Sequence, residues 1–311
     1  MTKVLVTGGA GFIGSNLVRA LLGRGDTVRV LDNFATGNRA NLEGLEHDVE
    51  VVEGDLRSYE RVHTAVRGVE LVYHQGALGS VPRSVQDPLT TTAVNVEGTL
   101  NVLLAARDED VRRVVFASSS SVYGDGGRLP RSEEQAPNPI SPYGVAKLAA
   151  ESFCVSFHRV YGLETVALRY FNVFGPRQDP SSQYAAVVPL FIHAIAAGEQ
   201  ITIHGDGEQS KDFTYVANVV EANLLAGDTS GAGGRVLNVA TGGSETVNDV
   251  AETIGRLLGK QVDSVHAPER TGDVRRSSAD IAAAREVLGF EPAVGFEDGL
   301  RKTIESLQGG S

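Results

Sequence analysis

The chain has 311 residues, 41% hydrophobic and 22% charged, a balance that allows a large buried core. A net charge of −11 with no basic run argues against nucleic acid or an anionic membrane surface as partner, although a locally positive site can still hold an anionic ligand. No stretch approaches the roughly 20 apolar residues of a membrane span, no signal peptide precedes the first strand pattern, and the single cysteine, Cys154, allows no internal disulfide; together these predict a cytoplasmic protein.

The first element organises the rest. Val4-Leu5-Val6 reads as a strand, Gly8-Gly9-Ala10-Gly11-Phe12-Ile13-Gly14 as a tight turn, and Asn16 to Leu22 as a helix. Strand, glycine turn and helix form the context a dinucleotide fingerprint requires. The spacing fits Gly9-x-Gly11-x-x-Gly14 or Gly8-x-x-Gly11-x-x-Gly14. Such glycines let the backbone approach a pyrophosphate at the helix N-terminus. Val28 to Leu31 predicts a second strand ending at Asp32, 18 positions after Gly14. An acid about 20 residues on binds the adenosine ribose and repels a 2′-phosphate, which favours NAD over NADP. Val49 to Val52 is a third strand, followed by Asp55 and Leu56, with Asp55 able to accept from the adenine amino group.

Leu71 to His74 is a fourth strand, and Gln75-Gly76-Ala77 with a loop over 78–84 follows its carboxyl end, where ligands bind in open α/β sheets. A helical run from Pro88 to Arg107 carries Asn95, and Arg113 to Phe116 is a fifth strand. This alternation predicts a doubly wound parallel sheet. Ser118 to Ser121 closes the fifth strand. Ser141 can cap a helix that Pro142 starts, and Tyr143 and Lys147 stand one turn apart on it. Tyrosine, with a pKa near 10, is a poor base at neutral pH. A nearby ammonium and the positive ring of an oxidised nicotinamide both favour its phenolate, and a serine hydroxyl can share the substrate proton.

On these motifs the chain resembles the extended short-chain dehydrogenase/reductase superfamily, and within it the nucleotide-sugar epimerases and dehydratases, over essentially its whole length. The resemblance implies a Rossmann-type doubly wound sheet with a smaller mixed α/β substrate domain. We expect residues 1–171 and about 213–242 in the first, about 172–212 and 243–308 in the second. It implies Ser119, Tyr143 and Lys147 as catalytic residues. NAD contacts are assigned to Gly8, Gly11, Phe12, Ile13, Gly14, Asp32, Asn33, Asp55, Leu56, Gln75, Ala77, Asn95, Tyr143 and Lys147. A UDP-sugar would meet Ser80, Ser121, Asn172, Val188, Lys211, Arg270, Asp273 and Ser277.

After a sixth strand, Glu164 to Arg169, the alternation breaks beyond Pro176. Helices are expected from Val187, from Tyr215 to Ala226, near 248–259 and near 279–288. Residues 202–213 suggest a hairpin or polar loop, and 235–239 a strand returning to the large sheet. Lys211 replaces the family's usual arginine and loses its bidentate fork. Asn218 stands where many members have aspartate. Ser120-Ser121 occupies the place of the dehydratases' Asp-Glu, so no acid is there for elimination. A 4-epimerase of UDP-glucose/UDP-galactose or of the N-acetylhexosamine pair is therefore expected, with a small residue at Ser277, four on from Asp273, leaving room for an acetamido group. The alternatives are a UDP-glucuronate epimerase or decarboxylase, a dTDP-glucose dehydratase, and a non-catalytic NAD-sensing regulator. The family also implies a homodimer, though core packing explains the apolar spacing of the helices equally well. Cys154 is expected to be packed rather than reactive, and the seven histidines lack ligand spacing, so no metal site is expected.

Overall fold

The structure is a computed structural model that describes residues 1–45, 47–180, 186–269 and 274–308. Six strands alternate with helices in its first half. They are β1 (Lys3–Thr7), β2 (Thr27–Asp32), β3 (Val49–Glu53), β4 (Leu71–His74), β5 (Arg113–Ser119) and β6 (Glu164–Tyr170). The helices are α1 (Phe12–Gly23), α2 (Tyr59–Val66), α3 (Val81–Gln86), α4 (Pro88–Thr92), α5 (Gly98–Asp108) and α6 (Pro142–Tyr161). A π-helical turn, Ala93–Glu97, joins α4 to α5. The second half adds β7 (Val173–Phe174), α7 (Val187–Ala197), β8 (Ile201–His204), β9 (Ser210–Lys211), β10 (Thr214–Tyr215), α8 (Val216–Asp228) and β11 (Val236–Val239). It closes with β12 (Glu245–Thr246), α9 (Val247–Leu258), β13 (Ser264–Ala267), β14 (Arg276–Ser277), α10 (Ala282–Leu288) and α11 (Phe296–Gln308). No described helix is long and apolar enough to cross a membrane.

Seven strands form one sheet in the order β11-β6-β5-β4-β1-β2-β3, every neighbour parallel. Both faces are covered, so the strands are apolar at successive positions rather than alternating. Val4 and Val6 of β1 pack with Leu17 and Leu21 of α1 and with Val219 and Ala226 of α8. Leu5 points the other way, among Val62 of α2, Leu103 of α5 and Ala150 of α6. The strand order reverses direction between β1 and β4. The loops leaving those two strands diverge there, and a crevice opens at their carboxyl ends.

Three segments depart from the sequence reading. The loop expected over 78–84 holds α3: the Ser80 hydroxyl accepts from the Arg83 amide, and Pro82 sits in the first turn. Residues 202–213 form no hairpin. β8 pairs in parallel with β13, and β9 lies between β12 and β14, because distant partners claim both strands. α11 was not anticipated; it packs Leu300 and Ile304 into the core, four residues apart. The return of 236–239 to the large sheet, beside β6, agrees with the sequence reading.

Candidate active site

The crevice is a cleft of about 1010 Å³ bordered by the glycine turn, the ends of β4 and β5, and the start of α6. Gly8 has φ +66°, and its amide donates to Leu31 at 2.8 Å, joining the turn to β2. A Cβ on Gly14 would fall within 2.9 Å of backbone atoms of Gly8 and Gly9, so only glycine fits there. Gly11 is the N-cap of α1 and supplies no side-chain cap. The first amides of the helix, at Phe12 and Ile13, therefore face the cleft as a site for phosphate oxygens.

Asp32 is buried at the end of β2. One carboxylate oxygen accepts from the Ala10 amide at 3.0 Å and the other from Phe34 at 2.8 Å. Burial pushes this carboxyl above its ordinary value while those amides oppose the rise. Asp32 thus braces the glycine turn as well as facing the cleft. A side pocket of about 400 Å³, the size for an adenine and its ribose, runs from Asp32 past Asn33, Asp55, Leu56 and Ala77. Asp55 accepts from Asn33 at 3.0 Å and from Arg57, which holds its carboxyl low, at about 2. Gln75 donates to the Tyr170 hydroxyl and to Asn223. Asn95 is buried. Its amide accepts from and donates to the backbone of Leu78, so it holds the cleft wall and borders neither space.

Ser119, Tyr143 and Lys147 meet at the far end. The Ser141 hydroxyl caps α6 by accepting from the Gly144 amide, as its place before Pro142 anticipates. The Tyr143 amide donates to Ser84 of α3 at 3.1 Å, a tether that nothing in the local sequence signals. Burial pushes the Tyr143 phenol up, and the nearby Ser119 hydroxyl opposes the rise. The Lys147 ammonium donates to the Ala117 carbonyl at 2.7 Å. Burial lowers the lysine to about 8, which leaves it mostly protonated at neutral pH.

Beyond Tyr143 the cleft meets Ser80, Ser121 and Asn172. Asn172 has φ +32°, and its amide donates to the Asp212 carbonyl at 3.0 Å and to Ser277 at 3.2 Å. An adjoining space of about 70 Å³ is lined by Ser121, Asn172, Lys211 and Ser277, with Arg131 behind them. A second, of about 220 Å³, is largely apolar and runs between Asn172, Val188, Phe191, Phe213 and Lys211. The Lys211 ammonium donates to the Val274 carbonyl. Arg270 and Asp273 lie outside the described residues. Asn218 spends its amide on Val294, donating to the carbonyl and accepting from the N–H. An aspartate could make only the second bond.

A family model described as the NAD dependent epimerase/dehydratase family matches residues 4–240. A curated UDP-glucose 4-epimerase of Mycolicibacterium smegmatis is 39% identical, with 97% of each chain covered. The solved UDP-N-acetylglucosamine 4-epimerase of Methanobrevibacter ruminantium, in complex with UDP-N-acetylmuramic acid, is 40% identical. It covers 100% of this chain and 99% of its own, with a TM-score of 0.94. The Thermus thermophilus UDP-glucose 4-epimerase in complex with NAD is 39% identical, with 99% and 100% covered and a TM-score of 0.92.

Proposed function

The chain belongs to the NAD dependent epimerase/dehydratase family, and on that premise we propose that it interconverts the C4 epimers of a UDP-sugar. The observation that carries this reading is the convergence of Ser119, Tyr143 and Lys147 on one cleft, beside a sugar space without a carboxylate among its described lining residues. NAD held in this cleft would supply a hydride acceptor and donor for C4. Tyr143, as phenolate, takes the proton from O4 while Ser119 holds the same oxygen. Lys147, one turn along α6 and protonated near neutral pH, adds a positive charge that favours the phenolate. A 4-keto sugar results, and its rotation about the diphosphate presents the opposite face before the proton and hydride return. The cofactor is regenerated in every cycle and stays bound.

The uncapped start of α1 suits the pyrophosphate, the pocket beside Asp32 the adenosine, and the apolar space at Val188 the uracil. Ser277 is small, and the space of about 70 Å³ beside it has room for roughly two water-sized groups. A small side chain at this position leaves more room for an acetamido substituent than a tyrosine would, so we take the N-acetylhexosamine pair as the preferred substrate, with UDP-glucose and UDP-galactose also accepted. A cytoplasmic homodimer completes the reading. Its support is an apolar patch in which Val85, Leu89, Ile140 and Val145 are 46–84% exposed around α3, α4 and α6.

The test is a panel of UDP-sugars with purified protein, the products resolved by NMR. Tyr143→Phe should abolish turnover while NAD remains bound; near-normal turnover in that variant overturns the reading.

A further inference from the structure

The catalytic helix makes one more contact with β5, which the reaction above leaves unused. Tyr143, Lys147 and Glu151 are spaced by four and share one face of α6. They meet three successive strand residues. Lys147 donates to the Ala117 carbonyl at 2.7 Å, the Ser118 hydroxyl donates to Glu151 Oε2 at 2.7 Å, and Ser119 lines the same cleft as Tyr143.

Glu151 is a carboxylate in the core, 4% exposed. Arg169 of β6 engages both of its oxygens, Nε to Oε2 at 3.0 Å and Nη2 to Oε1 at 2.6 Å. Arg169 is the neighbour of Ser118 in the β5–β6 register, and its guanidinium lies 4.7 Å from the centre of the Tyr123 ring. Cys154, three residues after Glu151 and seven after Lys147, lies buried on the same face of α6. A buried ion pair gains little net stability over apolar side chains of similar size, because both ions lose their hydration. This pair instead fixes geometry. It ties α6 to β5 and β6 one turn beyond Lys147, and a shift of the helix along the strand would separate Ser119 from Tyr143.

We propose that Glu151 is a positioning residue for the epimerase reaction. Through Ser118 and Arg169 it sets the offset of α6 against the end of β5, and its charge compensates the buried guanidinium beside the catalytic strand. The inference rests on the assignment of Tyr143 as the base.

The test compares Glu151→Gln, Glu151→Asp and Ser118→Ala with the wild-type holoenzyme. Misplacement of reacting groups by about 1 Å can cost on the order of a hundredfold. Glu151→Gln should lower kcat roughly ten- to hundredfold, with KM within about twofold and NAD content unchanged. It also leaves Arg169 uncompensated, which favours the phenolate. The acid limb of the kcat profile should therefore move to lower pH by roughly half a unit or more. Glu151→Asp keeps the charge, so its limb should stay at the wild-type position even where kcat falls. Ser118→Ala removes only the hydroxyl tether and should lower kcat several-fold with no movement of the limb. An unmoved limb in Glu151→Gln, or a kcat within about twofold of wild type, overturns the proposal. Should Glu151→Gln fail to fold, Ser118→Ala decides: a wild-type kcat there overturns it. Tyr143→Phe runs alongside. Turnover in that variant overturns the base assignment, whereas its inactivity beside wild-type behaviour of the Glu151 and Ser118 variants overturns this inference alone.

Discussion

Replacing Gly14 by alanine should empty the cofactor site. The new methyl would lie 2.8 Å from the carbonyl carbon of Gly8 and 2.9 Å from Cα of Gly9, with the Gly8 oxygen nearer still. All three are backbone atoms and cannot rotate away. Carbon and oxygen settle near 3.3 Å, so the start of α1 must part from the end of β1 by roughly 1 Å. The first amides of α1 would then leave the positions that a pyrophosphate needs. Overpacking of this kind costs about 1–3 kcal/mol. A Tm lower by on the order of 5 °C follows. Gly23, at the other end of the same helix, has no atom within 4 Å of where its Cβ would lie. Alanine there should stabilise by about 0.5–1 kcal/mol, since it removes freedom from the unfolded chain. The assay is NAD released by acid from each purified variant, together with thermal unfolding. Gly14→Ala carrying a full complement of NAD at the wild-type Tm would refute the phosphate-loop geometry.

Three further outcomes are expected. Ser277→Tyr should fill the space beside Asn172 and lower kcat/KM for UDP-N-acetylglucosamine by about a hundredfold while changing that for UDP-glucose far less; equal losses on both sugars would remove Ser277 from substrate selection. Lys147 titrates near 8 in the fold against 10.5 when solvated, so its buried charge is unfavourable below pH 8 and that penalty is relieved as pH rises from 8 to 10.5. Across that window the stability of the wild type relative to Lys147→Met should climb by on the order of 3 kcal/mol in urea titrations, and a flat difference would contradict the burial argument. Cys154 is 1% exposed and its thiol is pushed up by burial, so the native protein should resist a thiol reagent until it unfolds; rapid labelling of active protein would show that the core at α6 opens freely.

The sheet was legible because its strands carry their evidence locally. Leu71 to His74 is the observed β4, and the Ser141-Pro142 start of α6 is written in two adjacent residues. The short strands of the second half were not legible, because β8 and β9 owe their pairing to β13, β12 and β14 rather than to their own residues. α3 was hidden by composition: Gly79, Ser80 and Pro82 suggest a turn, although serine and proline in that order also start a helix. Around the site, the glycine turn, Asp32 and the Tyr143–Lys147 spacing could be read directly. Ser84 and Arg169 could not. Ser84 reaches Tyr143 from 59 residues away, and Arg169 reaches Glu151 across two elements. Only the recurrence of Glu151 four residues after Lys147 was available, and that spacing alone does not separate a buried carboxylate from a solvated one. Asn95 shows the reverse, a residue in the expected neighbourhood whose amide is already committed to Leu78.

The late arrival of β11 has a consequence for synthesis. β6 would be the edge of the sheet without it, and β11 follows β6 by roughly seventy residues. At about 5–20 residues per second the ribosome takes several seconds to deliver that stretch. Throughout that interval a nascent chain with a formed sheet would present Thr165 to Tyr170, buried in the finished protein, as an unpaired strand. The nascent enzyme is thus most exposed to aggregation after the residues for its chemistry have been made and before the sheet is closed, which is the window in which a chaperone would have most to protect.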